Sequence, residues 1–118
     1  MDRNQVDNIN AGHDLDRLVA VEIMENTVIE DDIFGLMEMH TAPDGANIYY
    51  PLRAYSQNLH DAKRVIAKMV QRDYHLEAAY WQTEDRPEVI CRAALRAVLK
   101  RKKATALLER RACLRVVK

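Results

Sequence analysis

The chain has 118 residues, of which 48% are apolar and 31% are charged, and its formal net charge is zero. This length and composition predict one small soluble globular domain. The longest apolar runs fall far short of the ~20 residues that a membrane span needs, and two cysteines do not make a secreted disulfide framework. Because the N-terminal sequence MDRNQVDNINAG has no apolar core, we expect no signal peptide and an intracellular protein.

The first predicted element is a helix from Asp14 to Met24. Its apolar residues fall mostly three or four positions apart, and Asp14 and Asp16 near its start suit the positive end of the helix dipole. The acidic segment that follows, residues 25–33, is expected to be a loop or a helical extension.

A β-hairpin is predicted across residues 34–50. Alternating residues lead into Pro43-Asp44-Gly45, and Ile48-Tyr49-Tyr50 follows the turn. Proline presets φ, aspartate bonds to the backbone and glycine accepts the left-handed conformation, so this tripeptide is typical of a turn.

The second half of the chain predicts two helices and a third strand. Ser56 is expected to cap a helix over residues 57–72, whose apolar stripe opposes a row of cations. Alternation over residues 74–82 predicts a strand. Pro87 suits the first turn of a last helix, whose small packing residues run into the cations Lys100–Lys103.

The predicted order is therefore α-β-β-α-β-α with a basic C-terminal helical extension, which belongs to the α+β class. We expect a small antiparallel three-stranded sheet covered by helices, because three short strands cannot bury themselves alone. Residues 1–99 are expected to form the domain and residues 100–118 the extension.

The zero net charge conceals an asymmetry between the two halves of the chain. Residues 1–50 carry eleven acids against two cations, whereas residues 51–118 carry sixteen cations against seven acids. Two interpretations remain open. Either the two halves face each other in the fold and partly neutralise each other's charge, or one of them meets a charged partner.

Three helical segments, taken in order, resemble a known family. They are Ala11-Gly12-x-x-Leu15-Asp16-x-Leu18-Val19-Ala20, then Tyr55-Ser56 followed by Ala62-x-x-Val65-x-x-Lys68-Met69, then Pro87-x-Val89-Ile90-Cys91-Arg92-Ala93-Ala94-Leu95. They are similar to helices of the phage ABA sandwich domain family, small proteins of bacteriophages and prophages. The resemblance implies a phage- or prophage-encoded protein in the cytoplasm of a bacterial host, with no catalytic residue to carry over. The basic tail after Leu99 lies outside it.

No pattern typical of an active site or a metal centre occurs in the sequence. The histidines lack metal-ligand spacing, and there is no CxxC pair, no Gly-rich phosphate loop and no Gly-x-Ser-x-Gly elbow. His40 and His75 are two ligands at most, even if neighbouring strands bring them together. Cys91, beside Arg92, is interpreted as a buried structural cysteine. We therefore expect a protein that is not an enzyme and binds no metal or cofactor.

Two charged sets are candidate partner-binding surfaces. The acidic set imitates the phosphate spacing of nucleic acid and is expected to enter a basic groove of a host protein, unless it is a solvated loop; it comprises Glu25, Glu30, Asp31, Asp32, Glu38 and Asp44. The basic set is expected to face water and to bind a protein partner or phosphates, unless it is only a solvated helix end; it comprises Lys100, Arg101, Lys102, Lys103, Arg110 and Arg111. It lacks interleaved aromatic residues for stacking bases, so we expect weak binding of nucleic acid.

An apolar set in the extension predicts self-association, with a homodimer as the expected form. It includes Leu107, Leu108 and Leu114. The leading hypothesis for function is a phage accessory protein that binds a host bacterial protein stoichiometrically, in its concrete form a host-defence inhibitor of the anti-CRISPR kind. The alternatives are a nucleic-acid-binding accessory protein that uses the basic C-terminal helix, and an assembly partner without an inhibitory role. No membrane partner is expected.

Overall fold

The structure is a computed structural model that describes Val6 and residues 8–116, with side chains as far as Leu108. Helix α1 spans His13–Leu18 and continues as a π-helical segment, Val19–Ile23. Strands β1, β2 and β3 span Thr27–Asp31, Gly35–Thr41 and Asn47–Pro51. Helices α2, α3 and α4 span Leu59–Gln71, His75–Trp81 and Pro87–Val116. The strands form one antiparallel sheet in the order β1-β2-β3, which confirms the α+β class and the three-stranded antiparallel sheet.

The hairpin of β2 and β3 confirms the sequence prediction, including the chemistry of its turn. The Asp44 carboxylate accepts a hydrogen bond from the Ala46 amide at 2.9 Å. Gly45 has a φ of 90°, in the left-handed region that favours glycine. Local residues alone specify this turn.

The third strand lies before the hairpin and not after α2. The segment expected to be a loop or helical extension contains β1, whose Thr27, Val28 and Ile29 are β-branched residues that suit a pleated strand. Glu25, with a φ of 59°, ends the first helix. The backbone amide of Asn26 donates a hydrogen bond to the Ala20 carbonyl at 2.9 Å. This sharp end leads the chain straight into the sheet.

The strand predicted for residues 74–82 is instead helix α3, so that prediction is wrong. Asp73 has a φ of 66° and turns the chain directly from α2 into α3. Ala78 and Trp81, three positions apart, pack against Ile66 and Ile90. The segment therefore follows the helical spacing of apolar residues and not the alternation of a strand, because α3 packs against both α2 and α4.

The cap of α2 also differs from the prediction. The side chain of Asn58 accepts hydrogen bonds from the amides of His60 and Asp61 at 2.9 and 3.3 Å, so Asn58 and not Ser56 caps the helix. Ser56 holds the start of α1 instead. Its hydroxyl accepts from the Gly12 amide at 3.0 Å, and its amide donates to the Asp16 carboxylate at 2.7 Å.

The hydrophobic core lies between α1, α2 and α4, on one side of the sheet. Its buried residues include Leu15, Val19, Ile23, Tyr55, Val65, Met69, Cys91, Leu95 and Val98. Small residues of α4, with Ala94 fully buried, let this helix lie close to its neighbours. Helix α4 begins at Pro87 as predicted and runs without a break past residue 99.

Candidate binding surfaces

The inner face of the sheet, which points at the helices, holds a buried carboxylate. Val28, Glu38 and Tyr50 lie side by side across the three strands, and Glu38 is completely buried. Its Oε1 accepts hydrogen bonds from the Tyr55 hydroxyl at 2.6 Å and from Asn26 Nδ2 at 3.1 Å, and its Oε2 accepts from the Arg53 amide at 2.9 Å. Burial and the hydrogen bond to Glu38 raise the pKa of the Tyr55 hydroxyl. Glu38 was expected in the acidic partner surface, but its burial prevents contact with a partner.

Asn26 connects the buried carboxylate to the surface. Its Nδ2 also donates to the Tyr50 hydroxyl oxygen at 3.0 Å, and its Oδ1 lies 3.1 Å from His40 Nδ1. Since a carboxylate only accepts, the amide nitrogen of Asn26 must face Glu38, and its oxygen faces His40. His40 Nδ1 therefore carries a hydrogen and donates it.

The centre of the outer face of the sheet is apolar, with Thr27 beside Met39 and with Thr41 and Asn47 toward one end, and no described helix covers it. By alternation along the strands, it carries Ile29, Met37, Met39, Tyr49 and Pro51, which the register places in two adjacent rows. The side chain of Tyr49 is 53% exposed, and at the β1–β2 turn Phe34 is 73% exposed. We name the five strand residues the open face. Neighbouring apolar side chains in such a number are typical of a contact surface.

The remaining members of the acidic set do not form one surface. Glu25 forms an ion pair with Arg72, with 3.0 Å between Oε1 and Nε. Asp44 holds the hairpin turn, and Asp31 holds the β1–β2 turn by accepting from the amides of Phe34 and Ile33, which lowers the pKa of its carboxyl. Glu30 and Asp32 are exposed. An acidic rim of Glu30, Asp31 and Asp32 therefore lies at one end of the sheet.

The basic run Lys100–Lys103 is exposed, as predicted, but two of its members are held by the domain. Arg101 stacks on the Tyr74 ring, with its Cζ 3.6 Å from the ring centroid, and donates to the Arg72 and Asp73 carbonyls. Lys102 Nζ lies 2.7 Å from Glu22 Oε2. With the Glu25–Arg72 pair, this contact brings the acidic and basic halves of the chain together. Arg110 and Arg111 lie in α4, but their side chains are outside the described part.

A groove between α3 and α4 joins aromatic residues to cations, and we name it the aromatic groove. Its aromatic lining is Tyr74, Tyr80 and Trp81, and its cations include Arg96, Lys100 and Arg101. Tyr80 is 83% exposed. No pattern along the sequence indicates this groove, because its aromatic and cationic residues come from different segments of the chain.

A second groove lies between the inner face of the sheet and α2, with a volume of about 490 Å³. We name it the sheet–helix groove. The lining includes three cations, Arg53, Arg64 and Lys68, together with His40, Tyr50 and Asn26. Met24, Ile48 and Ala67 supply its apolar part. The residues that line this groove include no acidic side chain.

Cys91 and the histidines lie where they have little reactive chemistry. Cys91 is fully buried, and burial raises the pKa of its thiol to about 12, so the interpretation as a structural cysteine is confirmed. His75 lies on α3 beside Asp73 and His40 lies on β2, so the two histidines are not on neighbouring strands.

The apolar set of the extension is exposed as far as it is described. Leu107 is 50% exposed and Leu108 is 64% exposed. Leu114 lies in the last turns of α4, where side chains are outside the described part.

The sequence matches no family model, no curated protein and no solved structure. Within the described residues, no helix has both the length and the apolar character needed to cross a lipid bilayer.

Proposed function

We propose that this protein is a non-catalytic accessory protein of a phage or prophage that binds a bacterial host protein stoichiometrically through the open face. The observation that carries the proposal is the outer face of the sheet, where Ile29, Met37, Met39, Tyr49 and Pro51 lie side by side and none of the described helices covers them. The resemblance of the three helical segments supports the phage origin.

The chemistry around the open face favours one kind of partner. Its two methionines are flexible side chains that adapt to an apolar partner surface, and Tyr49 supplies a large aromatic contact. The acidic rim of Glu30, Asp31 and Asp32 lies at the end of the same sheet. We therefore expect a protein partner whose apolar patch is flanked by Lys or Arg, since opposite charges steer such a pair together.

The test places a photo-crosslinking amino acid at position 49 and, as the matched control, at exposed position 63 on α2. We expect one bacterial protein to crosslink from position 49 and not from position 63, and Tyr49→Lys to abolish its binding while Lys63→Ala retains it. Equal capture by Tyr49→Lys and the wild type would contradict the proposal. Crosslinking of two copies of this chain through position 49 would contradict it as well.

In its concrete form, the proposal is a host-defence inhibitor of the anti-CRISPR kind in the bacterial cytoplasm. A CRISPR-targeted phage should then plate at higher efficiency on cells that express the wild type than on cells that express Tyr49→Lys. Equal plating across a panel of CRISPR types would contradict this form and leave an assembly role for the same surface.

Self-association through α4 is a separate part of the proposal. Leu107 and Leu108 are exposed on a helix whose earlier turns are committed to the core, and pairing about a two-fold axis covers such side chains on both copies. We expect the wild type to be a dimer by light scattering and the double variant Leu107→Asp, Leu108→Asp to be a monomer with an unchanged fold. A wild-type monomer at high concentration would contradict this part.

Binding of single-stranded nucleic acid is a second candidate function, favoured by the aromatic groove. Tyr80 offers an exposed ring for stacking a base, and Lys100 lies in the same groove to meet phosphate. Arg101 is already engaged with Tyr74, which limits the number of phosphate contacts. We therefore keep this function second to the binding of a host protein.

The test is fluorescence anisotropy of a labelled oligothymidine strand and of a duplex. If the groove is used, the single strand should bind more tightly than the duplex, Tyr80→Ala should weaken binding about tenfold for one stacked base, and Lys63→Ala should not. Dissociation constants no tighter than the ~10⁻⁴–10⁻⁶ M of non-specific binding, unchanged in Tyr80→Ala, would eliminate this function.

A further inference from the structure

The sheet–helix groove has the size and lining of a small-molecule site. Its volume of about 490 Å³ falls within the range of about 300–1,000 Å³ that is typical of such sites. Met24, Ile48 and Ala67 provide an apolar wall, and the rest of the lining combines three cations with polar and aromatic side chains. This groove is on the opposite side of the sheet from the open face, so the two surfaces are independent.

The charge in the groove is positive and only partly compensated. Arg64 Nε lies 3.7 Å from the carboxylate of Asp61, a long and partly exposed pair. Arg53 stacks on the Tyr50 ring, with its Cζ 4.5 Å from the ring centroid, and Lys68 has no ion-pair partner among the described residues. Glu38 lies beneath the groove, but both of its oxygens are occupied by donors.

The hydrogen-bond network beneath the groove fixes which polar atoms face a ligand. The Tyr50 oxygen already accepts from Asn26, so the hydroxyl hydrogen of Tyr50 is the part left to donate to a ligand. His40 donates its Nδ1 hydrogen to Asn26, which leaves Nε2 as its second polar atom. Asn26 is 8% exposed and anchored to Glu38, so these orientations are set before any ligand arrives.

We propose that the sheet–helix groove binds a small organic anion, whose phosphate or carboxylate group meets Arg64, Lys68 and the Tyr50 hydroxyl and whose apolar body lies against Met24 and Ile48. Arginine and lysine are the usual partners of such oxygens. The apolar wall explains why an organic anion suits the groove better than an inorganic one.

The experiment titrates the full chain with phenyl phosphate, benzoate, inorganic phosphate and phenol, and follows backbone amide shifts by NMR. We expect saturable binding of phenyl phosphate or benzoate in the range of ~1 mM, with the shifts centred on β2, β3 and α2. Inorganic phosphate and phenol should each bind at least about tenfold more weakly, because each lacks one of the two features that the groove recognises. The preferred anion among the first two identifies phosphate or carboxylate as the recognised group.

The matched variants are Lys68→Ala inside the groove and Lys63→Ala on the same helix outside it. We expect Lys68→Ala to weaken the better organic anion about tenfold, equivalent to about 1.4 kcal/mol, and Tyr50→Phe to weaken it less. Lys63→Ala should bind as the wild type does. Shifts scattered over exposed cations, an affinity unaffected by Lys68→Ala, or stronger binding of inorganic phosphate than of either organic anion would overturn the proposal.

Discussion

The two faces of the sheet each depart from the usual distribution of polar and apolar side chains: the covered inner face buries a carboxylate beside Val28, and the outer face carries exposed apolar residues. The inner face, packed under the helices, holds Glu38 with its complete set of hydrogen-bond donors. The outer face, turned to solvent, holds Ile29, two methionines and Tyr49. In an antiparallel sheet covered on one side, the covered face is ordinarily the apolar one.

The inner face holds the fold together, whereas the outer face is accessible for binding. The Glu38 network joins β2, Asn26 and the segment of Arg53 and Tyr55, so it fixes how the hairpin sits against the helices. Loss of any member of a buried network destabilises the fold, because it leaves a buried polar group without a hydrogen-bond partner. The outer face has no such network, and its Ile29 and Tyr49 side chains are exposed.

The largest expected effect comes from breaking the inner face. Glu38→Ala leaves the Tyr55 hydroxyl and the Arg53 amide without their acceptor, and we expect the free energy of unfolding to fall by about 3 kcal/mol. Urea denaturation followed by circular dichroism measures this change. Glu30→Ala, at an exposed position of the same sheet, is the control and should be nearly neutral. Similar losses for both variants would show that the inner network has no special role.

A smaller effect is expected from Tyr55→Phe. This change removes the hydroxyl that donates to Glu38 Oε1 at 2.6 Å and keeps the buried ring. We expect a loss of about 1.5 kcal/mol in the free energy of unfolding, since a hydrogen bond to a charged group is worth about 1.5–3 kcal/mol. A loss as large as that of Glu38→Ala would contradict this expectation, because the contacts of Glu38 with Asn26 and the Arg53 amide would then contribute nothing.

Asp16 is a second buried carboxyl group, and burial raises its pKa despite hydrogen bonds from Ser56. When an acid has a higher pKa in the folded state, its ionisation opposes folding. The stability of the wild type relative to Asp16→Asn should therefore fall as the pH rises through the pKa of Asp16 in the folded protein, and the relative stability should then level off. Denaturation of both proteins across pH 3–8 measures the difference. A relative stability that rises with pH would contradict the assignment.

The smallest effect is expected on the outer face. Tyr49→Thr replaces an exposed aromatic residue by one that suits a strand, and we expect the free energy of unfolding to change by no more than about 0.5 kcal/mol. Binding of the proposed host protein should nevertheless be lost. If Tyr49→Thr destabilises the fold as strongly as Tyr55→Phe, the outer face is part of the folded core and the contrast between the faces disappears.

The features that could be predicted from the sequence are those set by neighbouring residues. The turn at Pro43-Asp44-Gly45, the start of α4 at Pro87 and the first helix depend on local chemistry. Residues 74–82 were ambiguous because a seven-residue helix also fits an alternating pattern, and only Ile66 and Ile90 select the helical period. In β1, the acids around Val28 and Ile29 concealed the β-branched run.

The candidate sites depend on residues that are distant in the sequence, which is why the pattern did not reveal them. Glu38 was assigned to the surface because its donors come from Asn26, Arg53 and Tyr55 on either side of the hairpin. Tyr80 and Lys100 meet only because α3 packs beside α4. A pattern along the chain cannot show that two such segments are adjacent.

Helix α4 continues for several turns past Arg101 and Lys102. Arg101 and Lys102 attach it to the body of the protein through Tyr74 and Glu22, and its remaining residues, 103–116, continue as helix. At ~1.5 Å per residue, this helical segment is about 20 Å long. A tilt of about 10° at the attachment moves its far end by roughly 3–4 Å. Loss of the Lys102–Glu22 ion pair would therefore displace the far end of the helix more than the part near the attachment.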